Sequence, residues 1–151
     1  MIDHHRDGFT VSTDPARLDV DAIHAFLTTA YWCEGIPRET VARSLASSLC
    51  FGLYQEDSEG PRQIGLARVI TDFTTFAYFC DVYVLPEFRG RGLGHWLMEN
   101  VMAHPDLQGL RRFSLVTRDA HELYRAFGFT EVKSPERHME IVRPGIYKRE
   151  D

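Results

Sequence analysis

The chain has only three cysteines in 151 residues, Cys33, Cys50 and Cys80, and they lie far apart. There is no C-x-x-C and no Cys/His pair with the spacing of a zinc site. The odd count argues against a disulfide framework, so the three read as small buried hydrophobes and no metal is expected. No apolar run approaches the ~18 residues that span a bilayer. The opening Met1-Ile2-Asp3-His4-His5-Arg6 lacks the apolar stretch of a signal peptide. The expectation is a cytoplasmic protein with no membrane partner. Excess positive charge is missing too. Lys and Arg number 17 against 22 Asp and Glu, for a net charge of −5, which is the wrong sign for a domain-wide nucleic-acid footprint. Repeats, low-complexity tracts and Pro/Gly/Ser linkers are absent.

What is present is a globular composition, 44% hydrophobic and 26% charged. The length suits one domain with a full core. The acidity is uneven. Residues 86–125 hold six basic and five acidic side chains, so this segment escapes the negative balance of the rest. That suits a small anionic ligand better than a polymer.

Periodicity gives the order of elements. Phe9–Val11 reads as a short strand after a polar tail of residues 1–8. Asp19 reads as an N-cap, followed by Val20, Ile23, Phe26, Leu27 and Ala30 at helical spacing. Tyr31-Trp32-Cys33-Glu34-Gly35-Ile36 breaks the period, and Pro37 starts a second helix with Val41, Leu45 and Leu49 on one face. Three strands follow, Leu49–Tyr54, Gln63–Ile70 and Thr75–Leu85, the last ended by Pro86. A helix starts near Gly92 and closes at His104-Pro105. Phe113–Val116 is a short strand, and Ala120–Phe127 a short helix with Gly128 at its C-terminal turn. Thr130–Lys133 and Met139–Val142 are expected to close the sheet as a strand pair. The domain is expected over residues 9–143, with 144–151 as a tail. The fold class is α/β (α+β), a central mixed sheet with helices on it.

The stretch Val82-Tyr83-Val84-Leu85-Pro86-Glu87-Phe88-Arg89-Gly90-Arg91-Gly92-Leu93-Gly94-His95 runs from a strand through alternating glycines into a helix. Glycine permits close backbone approach and positive φ. A helix start offers unpaired N–H groups and partial positive charge. Together these make an anion site suited to a pyrophosphate. His95-Trp96 stands where a P-loop needs Lys-Ser/Thr, and the glycine spacing does not fit the dinucleotide fingerprint. A tight turn with solvated arginines would look the same from this stretch alone.

The stretch resembles the acetyl-CoA signature of the GNAT N-acetyltransferase superfamily, Arg/Gln-x-x-Gly-x-Gly/Ala, at Arg89, Gly92 and Gly94. Leu123-Tyr124-Arg125-Ala126-Phe127-Gly128-Phe129 resembles the family's second signature, Tyr-x-x-x-Gly-Phe. The order of elements agrees from Phe9 to Val142. The resemblance implies a mostly antiparallel sheet whose fourth and fifth strands splay, with acetyl-CoA as co-substrate in the gap. It implies that Val82, Tyr83 and Val84 line the pantetheine, and that Arg89, Gly90, Arg91, Gly92, Leu93, Gly94 and His95 hold the pyrophosphate. Tyr124 takes the place where the family often has its general acid.

The base is open among Asp81, His121 and a water relay. Strand alternation turns Asp81 away from Val82 and Val84, whereas His121 precedes Tyr124 by three residues on one helix face. Asp119 stands near the place of a family Asn that contacts CoA, and as an anion it can cap the helix but not donate. Tyr31, Trp32 and Glu34 fall in the loop that helps build the family's acceptor pocket, where two aromatics and a carboxylate suit a cationic amine. The expected activity is direct acetyl transfer to an amine of a small molecule or peptide. A non-catalytic acyl-CoA-binding module is the alternative, and the partners are acetyl-CoA and the amine, with a homodimer left open.

Overall fold

The computed structural model describes residues 1–148. The last three residues of the expected C-terminal tail lie outside the described residues. Among these residues, six strands form one sheet in chain order: β1 (Asp3–Arg6), β2 (Phe9–Ser12), β3 (Leu49–Asp57), β4 (Gly60–Thr71), β5 (Phe76–Val84) and β6 (Arg112–Leu115). All neighbours are antiparallel except β5 and β6, which run parallel. Among the described residues, four helices flank the sheet: α1 (Val20–Leu27), α2 (Arg38–Ala46), α3 (Leu93–Met102) and α4 (His121–Arg125). Among the described residues no helix is long and apolar enough to cross a membrane.

Alternation along the strands sends side chains to two cores. Phe51, Leu53, Ile64, Ala67, Val69 and Phe79 face α3, against Trp96, Leu97, Met98 and Val101. Cys50, Leu66 and Tyr83 face α1 and α2, against Ile23, Leu27, Val41 and Leu45. Asp19 caps α1, its carboxylate accepting from the Ala22 amide at 3.0 Å. Pro37 sits at the N-cap of α2 in an extended conformation.

Two expectations fail. Residues 3–6 are not a fraying tail. They form β1, because the Asp7-Gly8 turn, with φ of 51° and 83°, folds them back on β2. At the other end, Thr130–Lys133 and Met139–Val142 form no strands, so β6 is the edge of the sheet.

Two irregularities position the site. β6 pairs with β5 only from Phe76 to Phe79, yet β5 continues to Val84. Beyond Phe79 the two strands part. The hairpin at residues 3–12 adds a strand at the front, so the splayed pair is the fifth and sixth. The second irregularity is a bulge opposite Ala67. The register passes from Leu66↔Tyr83 to Arg68↔Cys80, leaving Asp81 and Val82 to share one partner position. Asp81 takes φ +51° there, which turns its side chain toward α1 and α2.

Candidate functional site

The end of β5 beyond Phe79 has no strand on its β6 side. Its free backbone groups need partners, and one has been found locally: Arg89 Nε donates to the Val84 carbonyl at 2.9 Å. The chain then turns through Pro86–Phe88 into the glycines. Gly90 has φ +81°, and Gly92, the N-cap of α3, has φ +75°. No side chain caps the helix. A Cβ built at Gly90 or Gly92 would meet nothing within 4 Å, and one at Gly94 would reach only Val84 Cγ2 at 4.0 Å. The helix thus begins with uncapped N–H groups and with open space at the Cβ positions of Gly90 and Gly92, an arrangement that suits an anion. Arg89 and Arg91 are exposed beside it, with Arg91 lying 5.6 Å from the Phe88 ring. His95 turns away, its Nδ1 2.7 Å from Glu99 and its ring against Phe127.

Across the gap, α4 carries Tyr124, only 8% exposed. Burial, with a smaller contribution from Tyr31, pushes its phenol up to about 12, so it stays protonated and able to donate at neutral pH. It lines a cavity of about 310 Å³ with Phe113–Thr117, His121 and residues 129–132. His121 is exposed on the same helix.

The family profile described as acetyltransferase (GNAT) domain matches residues 47–131, which contain β3 to α4 and both signatures. The chain belongs to the GNAT acetyltransferase family. A Gibberella zeae protein that carries an acetyltransferase name is 41% identical over 138 residues, covering 79% of this chain and 77% of its own. The crystal structure of a GNAT-family protein from Xanthomonas campestris pv. campestris is 49% identical with a TM-score of 0.88, covering 96% of this chain and all of that one. A Clostridium acetobutylicum protein solved with acetyl-CoA shares the fold at 17% identity, with a TM-score of 0.62, over 89% of this chain and 94% of its own.

Within this GNAT domain, the α1–α2 loop lies over the bulge of β5. Trp32 Nε1 donates to Asp81 Oδ1 at 2.8 Å, and Arg68 Nε donates to Asp81 Oδ2 at 2.7 Å. Arg68 also reaches Ser48 Oγ at 3.2 Å. Both carboxylate oxygens are thus engaged, and the Asp81–Arg68 pair is 8% and 16% exposed. This is the arrangement of a brace. Tyr83, stacked on Phe26 at 3.9 Å, faces the same side, so its side chain lies opposite Val82 and Val84. Tyr31 packs edge-on against Trp32, and the Arg118 guanidinium covers its ring at 3.9 Å, joining the α1–α2 loop to the β6–α4 loop across the gap.

Two expected residues lie elsewhere. Glu34 is 59% exposed and its carboxylate is 3.5 Å from Lys148, so it faces the C-terminal segment and not the aromatics. Asp119 does not cap α4. The Thr117 hydroxyl accepts from the Ala120 amide instead, and Asp119 sits exposed 3.6 Å from Arg118. Sequence reasoning missed Arg68, Ser48 and Arg118. Only Arg68 carried a signal, a charge inside an apolar strand, which demands a buried partner.

Proposed function

We propose that the protein transfers acetyl from acetyl-CoA directly to an amine. The observation that carries this reading is the free end of β5 leading straight into an open, uncapped glycine turn. The amides of Gly90–Gly94 would hold the pyrophosphate, with Arg91 adding charge. The backbone of Val82 and Val84 would hold the pantetheine arm, with Arg89 releasing the Val84 carbonyl as it turns to the phosphates. Acetyl-CoA supplies the activated thioester. The chain has to align the amine, favour its neutral form and protonate the departing thiolate. Tyr124 suits the last task, being buried, protonated and on the far wall of the gap.

Asp81 is read as a positioning residue, because Arg68 and Trp32 engage both its oxygens. That leaves water, or His121 at the mouth, to take the amine's proton. The amine site is assigned to Tyr31 and Trp32, with the Trp32 ring suited to a cationic nitrogen and Tyr31 holding Arg118 on its ring beside it, and Glu34 is left out of it. Calorimetric titration with acetyl-CoA, then a screen of amines, amino acids, aminoglycosides and peptides with detection of released thiol, tests the reading. Saturable binding with release of CoA on one acceptor class supports it. Binding without turnover on any class would favour the acyl-CoA-binding module, and no binding would remove both.

A further inference from the structure

At the acceptor end of the gap, Arg118 has no hydrogen-bond partner among the described residues. The carboxylate beside it, Asp119, is 3.6 Å away, beyond hydrogen-bond length. Asp119 is also 70% exposed, and an open ion pair of this kind is weak and readily exchanged. The other carboxylates on this side are engaged. Trp32 and Arg68 hold Asp81, Arg125 holds Glu122 and faces Glu131, and Lys148 faces Glu34. His121 brings no negative charge.

The guanidinium is nevertheless held in place. It lies over the Tyr31 ring at 3.9 Å, and the loop behind it is fixed by the Thr117 hydroxyl, which accepts from the Ala120 amide at 3.0 Å. An arginine held over an aromatic ring keeps its N–H fork for a carboxylate. The preceding residue, Thr117, lines the cavity of Tyr124, and Tyr31 adds to the burial that pushes the Tyr124 phenol up. The fork therefore stands at the rim of the space that Tyr124 faces.

Trp32 completes the arrangement. Its ring is 43% exposed, 5.1 Å from Tyr31, and fixed through Nε1 by Asp81. Steps of 5.1 and 3.9 Å thus join the Trp32 ring to the guanidinium through Tyr31. A cation sits within about 6 Å of a ring centroid. A ligand that meets both groups has its amine and its carboxylate only a few bonds apart. Polyamines and aminoglycosides bring no anion to the fork.

On the acetyl-transfer reading, we propose that the acceptor is an amino acid or similarly short amine bearing a carboxylate, with its carboxylate on Arg118 and its amine beside Trp32. Tyr31 is a positioning residue that holds the fork. The amine nitrogen bonds the acetyl carbon as the carbon–sulfur bond breaks. The amine gives up one proton, the departing thiolate takes one, and the carboxylate stays bound and unchanged.

The test is CoA release from acetyl-CoA with paired acceptors: amino acids and β-alanine, each beside its carboxamide, together with spermidine, kanamycin and a C-terminally amidated peptide free of acidic residues. At least one amino acid should be used with a kcat/KM roughly 10- to 100-fold above its carboxamide, the scale of one charge-assisted hydrogen bond. Arg118→Gln should raise the amino-acid Michaelis constant by a similar factor and close the gap between acid and amide. Its melting temperature should still rise with acetyl-CoA. Arg118→Lys should restore part of the preference, Tyr31→Ala should lose part of it, and Tyr31→Phe should keep it. CoA release only with acceptors that lack a carboxylate overturns the proposal and leaves acetyl transfer standing. Equal rates on acid and amide overturn it too. So does an Arg118→Gln enzyme that slows on acid and amide alike, because Arg118 then only supports the loop. No release with any acceptor removes the acetyl-transfer reading and the proposal together.

Discussion

Removing one charge from the Asp81 brace isolates its role. Asp81→Asn keeps a residue that tolerates the positive φ of +51°. It retains one acceptor oxygen for two donors, Trp32 Nε1 and Arg68 Nε. One charge-assisted bond is lost, costing about 1.5–3 kcal/mol. At about 2–4 °C per kcal/mol for this size, the melting temperature should fall by roughly 3–12 °C. Asp81→Ala strands the Arg68 guanidinium, at about 3–5 kcal/mol, and puts a Cβ into the left-handed region at about 1–2 kcal/mol more. The order of stability should therefore be parent, Asn, Ala. Unfolding in urea at neutral pH reads the series. A cycle with Arg68→Met measures the coupling, since the Asp81 substitutions should cost less once Arg68 is gone. Kinetics then separates bracing from proton abstraction. As a brace, Asp81→Asn raises the acceptor Michaelis constant through a loosened Trp32 and leaves the shape of the pH–rate profile unchanged. An unaltered melting temperature would refute the brace, and a lost acidic limb with normal acceptor affinity would make Asp81 the base.

Other outcomes follow from the same geometry. Tyr124→Phe should lower turnover by about 100-fold or more with acetyl-CoA affinity kept, and because the phenol sits near 12, the parent's rate should show no basic limb from this group below about pH 10; unchanged turnover would make Tyr124 a packing residue. Glu34→Gln should leave both Michaelis constants unchanged, since Glu34 faces Lys148; a raised acceptor constant would return it to the pocket. His104, buried against Phe51 with Nδ1 accepting from the Asp106 amide at 3.1 Å, is held below its usual value by burial. Between that lowered value and about 6.5 the unfolded chain binds more protons, so stability should fall as pH drops through this window. His104→Asn should remove that slope, which unfolding curves across the acidic range would reveal.

The parts of the fold legible in the sequence were those with local causes. Asp19 before an apolar helix, Pro86 after an aromatic strand, and the glycines at 90, 92 and 94 each impose backbone geometry within a few residues. The two signatures placed the glycine turn and Tyr124 on opposite sides of one gap. The bulge at Asp81 was not legible, because it arises from register against β4 and not from turn-forming residues. The same is true of the Arg68–Asp81–Trp32 brace, which joins residues up to 49 apart in sequence. Glu34 was misread because proximity to Trp32 along the chain says nothing of direction in an irregular loop, and Lys148 lay too far away to be seen as its partner. The strands expected at 130–133 and 139–142 have the right alternation, but alternation alone does not pair them, and neither lies along the free edge of β6.

Gly94 gives the most direct test of the central claim, that the turn opening α3 holds the acetyl-CoA phosphates. Unlike Gly92, it has helical backbone, and a Cβ there meets only Val84 Cγ2 at ordinary contact distance. Gly94→Ala should thus leave the unliganded fold as stable as the parent or up to about 1 kcal/mol more so, while placing a methyl in the space the phosphates approach. The measurement is the rise in melting temperature on adding saturating acetyl-CoA, parent against Gly94→Ala and Gly94→Val. A clear rise is expected for the parent, less for Ala and none for Val. An equal rise in all three would contradict it.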